Sequence, residues 1–381
     1  MSIILRRRLT PLILAFTTAN LTGYDSQRPI TNLTSEDKAV TTSLPQGEAY
    51  LRVVDVGNAL CVVAKVPTGE TLLYDAGNHN TNECADAVAE IIGPDTPIDL
   101  VVLSHSDADH IGELPEILAR NHAKQLVYTG AVGTSKTLWP RVVEALDIAR
   151  TQNQTRIRNL GTEPLPNTID ANPGAPLTVN LGAAKVTFVA GWHAWPYRGD
   201  PGAALAAAEK LNVISIVVRY DYGNQSVLLT GDTIGRRGEP DEDPNACRDA
   251  ERWMIEKSGV PLKSDVLVGE HHGGDNSSSN CFIKAVSPSF VIFPAGHATY
   301  HHPRETAAQR YLAHNIPLNH ILRTDRGDDD KGDDEWAQGL EAGCVDPAGD
   351  DDVEIRLSGR REEPVVQYRQ PWIACAPRPR R

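Results

Sequence analysis

Short apolar runs alternate with polar and glycine-containing breaks from residue 50 onward, a pattern typical of consecutive β-strands. A continuous apolar run at residues 98–103 indicates a strand that is buried on both faces. In the first half of the chain we predict strands at residues 50–56, 60–66, 71–74, 98–103, 125–128, 177–181 and 185–190. Apolar residues at helical spacing predict helices at residues 82–92, 114–120 and 135–150.

A second series of strands and helices follows in the other half of the chain. The predicted strands lie at residues 213–220, 226–230, 266–269, 290–293 and 320–323. The predicted helices lie at residues 246–257, 279–286 and 304–314. Strands followed by helices, twice over, predict an α/β fold of mixed α+β character. We expect four layers in the order αββα, with two mixed sheets packed between helical layers.

The first 45 residues have the composition of an export signal followed by a polar linker. Three arginines at positions 6–8 precede an apolar stretch at 9–16 and then small residues, so we expect cleavage near Ala19. This arrangement predicts a periplasmic or secreted protein; the alternative is a frayed N-terminus on a cytoplasmic protein. No apolar stretch reaches the roughly 20 residues of a membrane-spanning helix, so we expect no membrane span.

Length and charge suggest the remaining boundaries. The 381-residue chain is long enough for one large domain, which we place at residues 46–327. Residues 325–352 hold 12 Asp/Glu and 2 Lys/Arg, so they account for −10 of the formal net charge of −13. We therefore interpret residues 328–381 as a solvated acidic loop and a C-terminal extension. Of the six cysteines, Cys344 and Cys375 flank this extension and are expected to form a disulfide.

The strongest chemical signal is the segment Ser-His-Ser-Asp-Ala-Asp-His at residues 104–110, between a buried strand and a helix. It places four potential metal ligands within six residues: His105, Asp107, Asp109 and His110. Imidazoles and carboxylates together suit zinc, manganese or iron, and four in so short a loop suit two adjacent ions better than one. Capping of a helix N-terminus would explain one or two of the acids but not the histidines.

Three weaker signals also lie at or near the ends of predicted strands. Asp232 ends the sequence Leu-Leu-Thr-Gly-Asp, His271 and His272 follow the strand at 266–269, and His302 precedes a proline. Because adjacent side chains on an extended segment point to opposite sides, we expect at most one of His271 and His272 to face the metals. The recurrence of such residues at strand ends predicts that they converge on one site.

These motifs resemble the metallo-β-lactamase superfamily, and most closely the soluble hydrolase domain of ComEC-type DNA-uptake proteins. The His-x-Asp-x-Asp-His loop of that branch matches residues 105–110, where the wider superfamily usually has His-x-His-x-Asp-His. Further similarities lie in the expected order at residues 55–57, 75–77, 212–215, 228–232, 271–279, 302–303 and 323–325. The resemblance extends from about residue 50 to about residue 327 and implies the αββα fold.

The resemblance also implies a role for each matching residue. His105 and Asp107 would bind one metal ion, Asp109 and His110 a second, and Asp232 would bridge the two. His271 would complete the second set, with His272 as the alternative.

Two features depart from the family pattern. The superfamily histidine between the loop and the bridging aspartate has no firm counterpart; His193 is the best placed residue, and His302 is a further candidate ligand. The first loop reads Gly-Asn-Ala-Leu at residues 57–60, where the family commonly has Gly-Gln-Gly-Asp.

We therefore predict a hydrolase that uses two divalent ions, zinc or else manganese or iron, to activate a water molecule. Asp109 and Asp232 are assigned catalytic as well as ligand roles, and Asp107 in place of a histidine favours manganese or iron over zinc. The predicted substrate is a phosphodiester, either a small molecule or nucleic acid. One alternative is a lactone, thioester or β-lactam at the same metals; another is a secreted binding protein that has lost catalysis. The sequence indicates no protein partner.

Overall fold

Two mixed β-sheets form the framework of the fold. The structure is a computed structural model that describes residues 47–163, 176–192, 205, 207–238, 242–243, 245–296, 300–324, 326 and 351–370. Several predicted features lie outside the described residues: the export signal with its linker, most of the acidic loop, and the residues His193, Cys344 and Cys375.

The first sheet has eight strands in the order β15-β14-β1-β2-β3-β4-β5-β6. Its strands are β1 (Ala49–Val53), β2 (Val62–Lys65), β3 (Thr71–Tyr74), β4 (Ile98–Val102), β5 (Ala123–Tyr128), β6 (Arg156–Asn159), β14 (Val353–Leu357) and β15 (Val365–Tyr368). Strands β3 to β6 pair in parallel, and the other neighbours pair antiparallel.

The second sheet has seven strands in the order β13-β12-β11-β10-β9-β8-β7. Its strands are β7 (Thr178–Leu181), β8 (Ala184–Ala190), β9 (Val217–Tyr222), β10 (Gln225–Leu229), β11 (Val266–Val268), β12 (Phe290–Phe293) and β13 (Ile321–Arg323). Strands β10 to β13 pair in parallel. The parallel strands of both sheets matter for function because residues that follow them form the site described below.

The described helices are α1 (Glu83–Ile91), α2 (Ala108–Ile111), α3 (Leu114–Asn121), α4 (Leu138–Thr151), α5 (Ala207–Val213), α6 (Asp249–Glu256), α7 (Asn280–Val286) and α8 (Glu305–Ala313). Apolar residues of α1, α3 and α4 pack with one face of the first sheet. Those of α6, α7 and α8 belong to the core that contains the second sheet. The predicted α/β fold with two mixed sheets and helical layers is confirmed. Among the described helices, none has the length and apolar character that crossing a membrane requires.

Strand β4 explains why its sequence is continuously apolar. Leu100 and Val102 pack into the core that the two sheets share, whereas Val101 packs into the core beneath α1, α3 and α4. Successive side chains of a strand point to opposite faces, so both faces of β4 must be apolar. This burial fixes the end of β4, which leads directly into the His105 loop.

The C-terminal segment continues the first sheet beyond residue 327. Strand β14 pairs antiparallel with β1, in the register Leu51 to Ile355, and β15 pairs with β14. Asp351 and Asp352 are buried, so the expectation that the acidic stretch is solvated was wrong for these two residues. Asp352 accepts a hydrogen bond from the backbone N–H of Asp55, and Asp351 pairs with Arg326, which compensates their burial.

Two disulfides connect elements that are distant in sequence. Cys61, immediately before β2, bonds to Cys84 in α1, and Cys247, before α6, bonds to Cys281 in α7. Neither pairing was predicted, because the cysteine spacing in the sequence does not show which residues the fold brings together.

Candidate metal centre

The loop after β4 presents four side chains that can bind metal. His105 and His110 are buried, whereas Asp107 and Asp109 are partly exposed. Asp75, which follows β3, anchors the start of this loop. Its carboxylate accepts hydrogen bonds from the backbone N–H and the hydroxyl of Ser104, both at 2.6 Å. The loop is therefore fixed by a neighbouring strand of the same sheet.

Four histidines of the site, His105, His110, His271 and His272, are oriented through Nδ1. His110 Nδ1 donates to Asp75 Oδ2 at 2.8 Å, and His272 Nδ1 donates to the carbonyl of Pro294 at 2.6 Å. Because the Ser104 hydroxyl is donated to Asp75, its oxygen accepts from His105 Nδ1 at 3.0 Å. His271 Nδ1 donates to Asn276 Oδ1 at 2.6 Å. These contacts orient the rings and leave Nε2 available as a ligand atom, as in many metal sites.

The Nε2 atoms surround the carboxylate of Asp232, which follows β10. Asp232 Oδ1 lies 3.1 Å from Nε2 of His110 and 3.5 Å from Nε2 of His272. Asp232 Oδ2 lies 3.8 Å from Nε2 of His105 and 3.9 Å from Nε2 of His271. The two oxygens of one carboxylate thus face different histidines.

Two groups of residues can be distinguished around Asp232. We call His105 and Asp107 the first set; His105 Nε2 lies 3.6 Å from Asp107 Oδ2. We call Asp109, His110 and His272 the second set, and their ligand atoms lie with an oxygen of Asp232 within 4.8 Å of one another. The structure thus brings His272, rather than His271, next to Asp109 and His110.

The expectation of an extended segment at His271 and His272 was wrong. These residues form a short turn with positive φ angles of 43° and 55°, continued by Gly273 at 79°. In this left-handed conformation successive side chains diverge by about 100° instead of 180°. Both rings therefore face Asp232, which the alternation of a strand would not allow.

The pKa values of the site residues are shifted by the ionisable groups packed around them. Burial alone would lower the pKa of His272, but the carboxylates of Asp232 and Asp109 outweigh it and raise the pKa to about 10. Burial would likewise lower the pKa of His110, yet Asp232 and Asp75 hold it well above its usual value. Asp232 itself is held well below its usual pKa, against the effect of burial, by the two histidines. Carboxylates in this site thus favour positive charge at the Nε2 positions.

Buried polar atoms at the centre of the site are placed where a cation could bind. Nε2 of His105, His110 and His272 and Oδ1 of Asp232 are buried and make no hydrogen bond within the described part of the chain. Buried polar atoms normally have a partner, and these three nitrogens lie around the Asp232 carboxylate. Imidazole nitrogens with carboxylate oxygens are the ligands that zinc, manganese and iron accept, so the residues fit divalent metal ions.

A cavity of about 830 Å³ opens onto this centre. His302 lines it, buried, with its ring centroid 6.2 Å from that of His272. Burial lowers the pKa of His302 to about 2, with further lowering by His271 and His272, so this ring is neutral. The other lining residues that bear on a ligand are Asn58, Asn78, Asn212, Arg237, Tyr300 and Arg304.

Several supporting residues were not assigned a role from the sequence. Asn276 orients His271, Pro294 orients His272 through its carbonyl, and Asp75 orients His110. Of these only Asp75 had a sequence signal, the Asp-Ala-Gly that follows a predicted strand. A backbone carbonyl has no sequence signal at all.

Comparisons with known proteins agree with the motifs. Residues 54–190 match the family model of the metallo-beta-lactamase superfamily. Competence protein ComA of Neisseria gonorrhoeae is 26% identical over 310 residues, which are 80% of this chain and 33% of that protein. ComE operon protein 3 of Bacillus subtilis (strain 168) is 26% identical over 236 residues, 60% of this chain and 24% of that protein. The chain thus spans a third or less of the length of these relatives.

Among solved structures, the metallo-beta-lactamase fold protein YhfI from Bacillus subtilis aligns with a TM-score of 0.40 and 12% identity, over 73% of this chain and 96% of that one. CmlA, a diiron β-hydroxylase from Streptomyces venezuelae, aligns with a TM-score of 0.37 and 14% identity, over 73% of this chain and 53% of that one.

Proposed function

We propose that this chain, which carries a metallo-β-lactamase superfamily domain over residues 54–190, is a hydrolase that binds two divalent cations and cleaves phosphodiesters. The position of Asp232 carries the proposal. One of its oxygens faces His110 and His272 and the other faces His105, so a single carboxylate can join two cations.

The first and second sets divide the work of binding. His105 and Asp107 would hold one cation, Asp109, His110 and His272 would hold the other, and Asp232 offers one oxygen to each set. When bound, the cations supply an activated water molecule and polarise the bond that is cleaved. Asp107 contributes a hard anionic oxygen where an imidazole would be neutral, which favours manganese or iron over zinc.

The cavity supports an anionic substrate. Arg304 lines it and is exposed to solvent, whereas Arg237, which also lines it, pairs with Asp249. Guanidinium groups bind phosphate oxygens through paired, charge-assisted hydrogen bonds. A neutral lactone or thioester has no charge to pair with a guanidinium, so Arg304 favours an anionic substrate such as a phosphodiester. The similarity to two competence proteins supports nucleic acid as one such substrate.

A substrate panel tests the proposal. The purified chain is stripped of metal, reconstituted with manganese, iron or zinc, and assayed with bis(4-nitrophenyl) phosphate, oligonucleotides, a lactone, a thioester and a cephalosporin. We expect the highest kcat/KM on phosphodiesters, loss of activity with a chelator, and recovery on adding metal. Faster cleavage of a carbonyl substrate would favour the lactone, thioester or β-lactam alternative. Two bound metals without any turnover would favour a binding protein.

Variants locate the activity. Asp109→Ala and Asp232→Ala should each reduce kcat by several orders of magnitude, because a cation is lost with its ligand. Asp147→Ala removes an exposed carboxylate on α4 and serves as the matched control, with turnover expected within about threefold of the parent. Equal damage from all three variants would place the activity elsewhere.

A further inference from the structure

We infer that His271 and His272 are both metal ligands, one for each of the two cations, and that His271 belongs with His105 and Asp107. This inference rests on the proposed two-cation centre and assigns a residue that the first set otherwise lacks. It differs from the expectation that only one of the adjacent histidines faces the metals.

The backbone conformation at these two residues turns both rings toward Asp232. His271 and His272 have φ/ψ angles of 43°/48° and 55°/19°, a conformation that residues with a Cβ adopt rarely. Strained backbone of this kind persists only where surrounding contacts hold it, and it occurs often at functional sites. Here the N–H of His271 donates to the carbonyl of Gly231 at 3.1 Å, which ties the turn to the residue preceding Asp232.

Each of the two rings is oriented by a hydrogen bond to a different acceptor. Asn276 Oδ1 accepts from Nδ1 of His271, and the Pro294 carbonyl accepts from Nδ1 of His272, both at 2.6 Å. An imidazole that donates through Nδ1 presents its Nε2 lone pair on the opposite side. The Nε2 lone pair of His271 accepts a hydrogen bond from Asn212 Nδ2 at 3.1 Å, and a cation would take over that lone pair from the amide.

His271 would supply the first set with a second imidazole on the side of Asp232 Oδ2. Nε2 of His105 and Nε2 of His271 lie 3.8 and 3.9 Å from Asp232 Oδ2, and Asp107 adds a terminal carboxylate beside His105. In the second set two imidazoles face Asp232 Oδ1, Asp109 Oδ2 lies 3.6 Å from Nε2 of His272, and these ligand atoms all lie within 4.8 Å of one another. Each cation thus receives two imidazoles, one terminal carboxylate and one oxygen of Asp232. Separations of roughly 3–4 Å are expected between ligands that bind one ion at 2.0–2.3 Å.

Few other histidines in the sequence could complete the first set. Between the His105 loop and Asp232 the chain contains only two histidines, His122 and His193. His122 follows α3 and does not line the cavity, and His193 lies outside the described residues. His271 follows Asp232 in the sequence, and its Nε2 lies 3.9 Å from Asp232 Oδ2, the oxygen that also faces His105.

Metal counting tests the inference without substrate. The full chain and its His271→Ala, His272→Ala, His193→Ala and His314→Ala variants are reconstituted with manganese, freed of excess metal, and measured by elemental analysis and electron paramagnetic resonance. We expect two manganese ions per chain and a spin-coupled spectrum for the parent, His193→Ala and the remote control His314→Ala. His271→Ala and His272→Ala should each retain about one ion and show an uncoupled spectrum.

Two results would overturn the inference: two coupled ions retained by His271→Ala, or loss of one ion from His193→Ala. Fewer than two ions in the parent would instead contradict the proposed two-cation centre itself.

A second variant guards against misfolding of His271→Ala. Asn276→Ala keeps the imidazole but removes its hydrogen-bond acceptor, and we expect it to weaken binding of one manganese ion about 10- to 100-fold while the other is unaffected. Unchanged affinity for both ions in Asn276→Ala would also count against the inference.

Discussion

Asp75 Oδ2 lies 2.8 Å from Nδ1 of His110, and both side chains are completely buried. The same carboxylate accepts the hydroxyl of Ser104, whose oxygen in turn accepts from His105. One buried acid therefore orients histidines on both sides of Asp232 without being a ligand itself. An acid behind a metal-binding imidazole fixes the ring and increases its basicity.

Asp75→Asn should therefore weaken metal binding without removing a ligand. The neutral amide can still accept from Ser104, so we expect a folded protein whose second set binds manganese about 10- to 100-fold more weakly. Titration against a competing chelator measures the change. Asp86→Asn, on the exposed face of α1, is the matched control and should leave affinity unchanged. Parent-like affinity in Asp75→Asn would show that this contact does not tune the metal site.

Arg304→Ala tests the charge of the substrate. The side chain lines the cavity and is exposed, so its loss should leave the metal centre intact. We expect KM for a charged phosphodiester to rise about tenfold with little change in kcat, because a charge-assisted contact to phosphate is lost in ground and transition states alike. KM for a neutral lactone should not move. Arg360→Ala, an exposed arginine at a different site, is the control. An equal effect of Arg304→Ala on both substrates would argue against phosphate binding by this residue.

The parts of the fold that depend on local sequence were predictable. Strand β4 and the His105 loop could be placed because a doubly buried strand is continuously apolar and its ligands follow within eight residues. Asp232 could be placed in the same way at the end of β10. Such signals arise from residues that are neighbours in the chain.

The parts that depend on contacts distant in sequence were not predictable. The left-handed turn at His271 is fixed by a hydrogen bond to Gly231, some 40 residues earlier, so no local pattern reveals that both rings face the site. Strand β14 pairs with β1 across about 300 residues, which concealed its membership of the first sheet. The disulfide partners of Cys61 and Cys247 likewise depend on the finished fold.

Mass spectrometry of the native protein tests the predicted export. Two disulfides within the described residues are typical of an oxidising compartment, which supports the signal predicted from residues 1–19. We expect a mature N-terminus near position 20 and a non-reduced peptide that joins Cys344 to Cys375. An N-terminus at Met1, or at Ser2 after removal of the initiator, would contradict processing. Alkylation of Cys344 without prior reduction would contradict the bridge.

Glu251 should make the stability of the fold depend on pH. Its carboxylate is completely buried on α6 and accepts hydrogen bonds from the N–H and hydroxyl of Ser279. Burial raises its pKa to about 7, against the effect of these contacts. The folded state thus holds a proton that the unfolded chain releases near its ordinary pKa of about 4.5. The resulting stability is present below pH 4.5 and is lost as the pH rises to about 7, with a magnitude on the order of 3 kcal/mol.

Glu251→Gln removes this titration while keeping the size of the side chain. We expect the free energy of unfolding to fall less between pH 5 and pH 7.5 in the variant than in the parent, as measured by urea titration at each pH. The burial of Glu270 acts in the same direction, so the slope should decrease without vanishing. Glu256→Gln, on an exposed residue of the same helix, is the control. Identical slopes in all three proteins would mean that Glu251 is not protonated in the folded state.

Asp107→His tests how the first set selects its metal. Asp107 Oδ2 lies 3.6 Å from Nε2 of His105, and its Oδ1 accepts from the Thr134 hydroxyl, so the side chain already points into the site. It is partly exposed, which leaves room for an imidazole without repacking the core. The substitution exchanges a hard anionic oxygen for a softer neutral nitrogen and restores the loop typical of the wider superfamily.

The expected result is a folded protein that prefers zinc. When reconstituted with equal concentrations of zinc and manganese and analysed for both elements, the variant should carry at least tenfold more zinc relative to manganese than the parent does. Asp147→His places the same imidazole on the exposed surface of α4 and controls for adventitious binding. A ratio unchanged from the parent would mean that Asp107 does not bind the ion. The preference for manganese over zinc would then depend on other residues, foremost Asp232, whose carboxylate faces histidines of both sets.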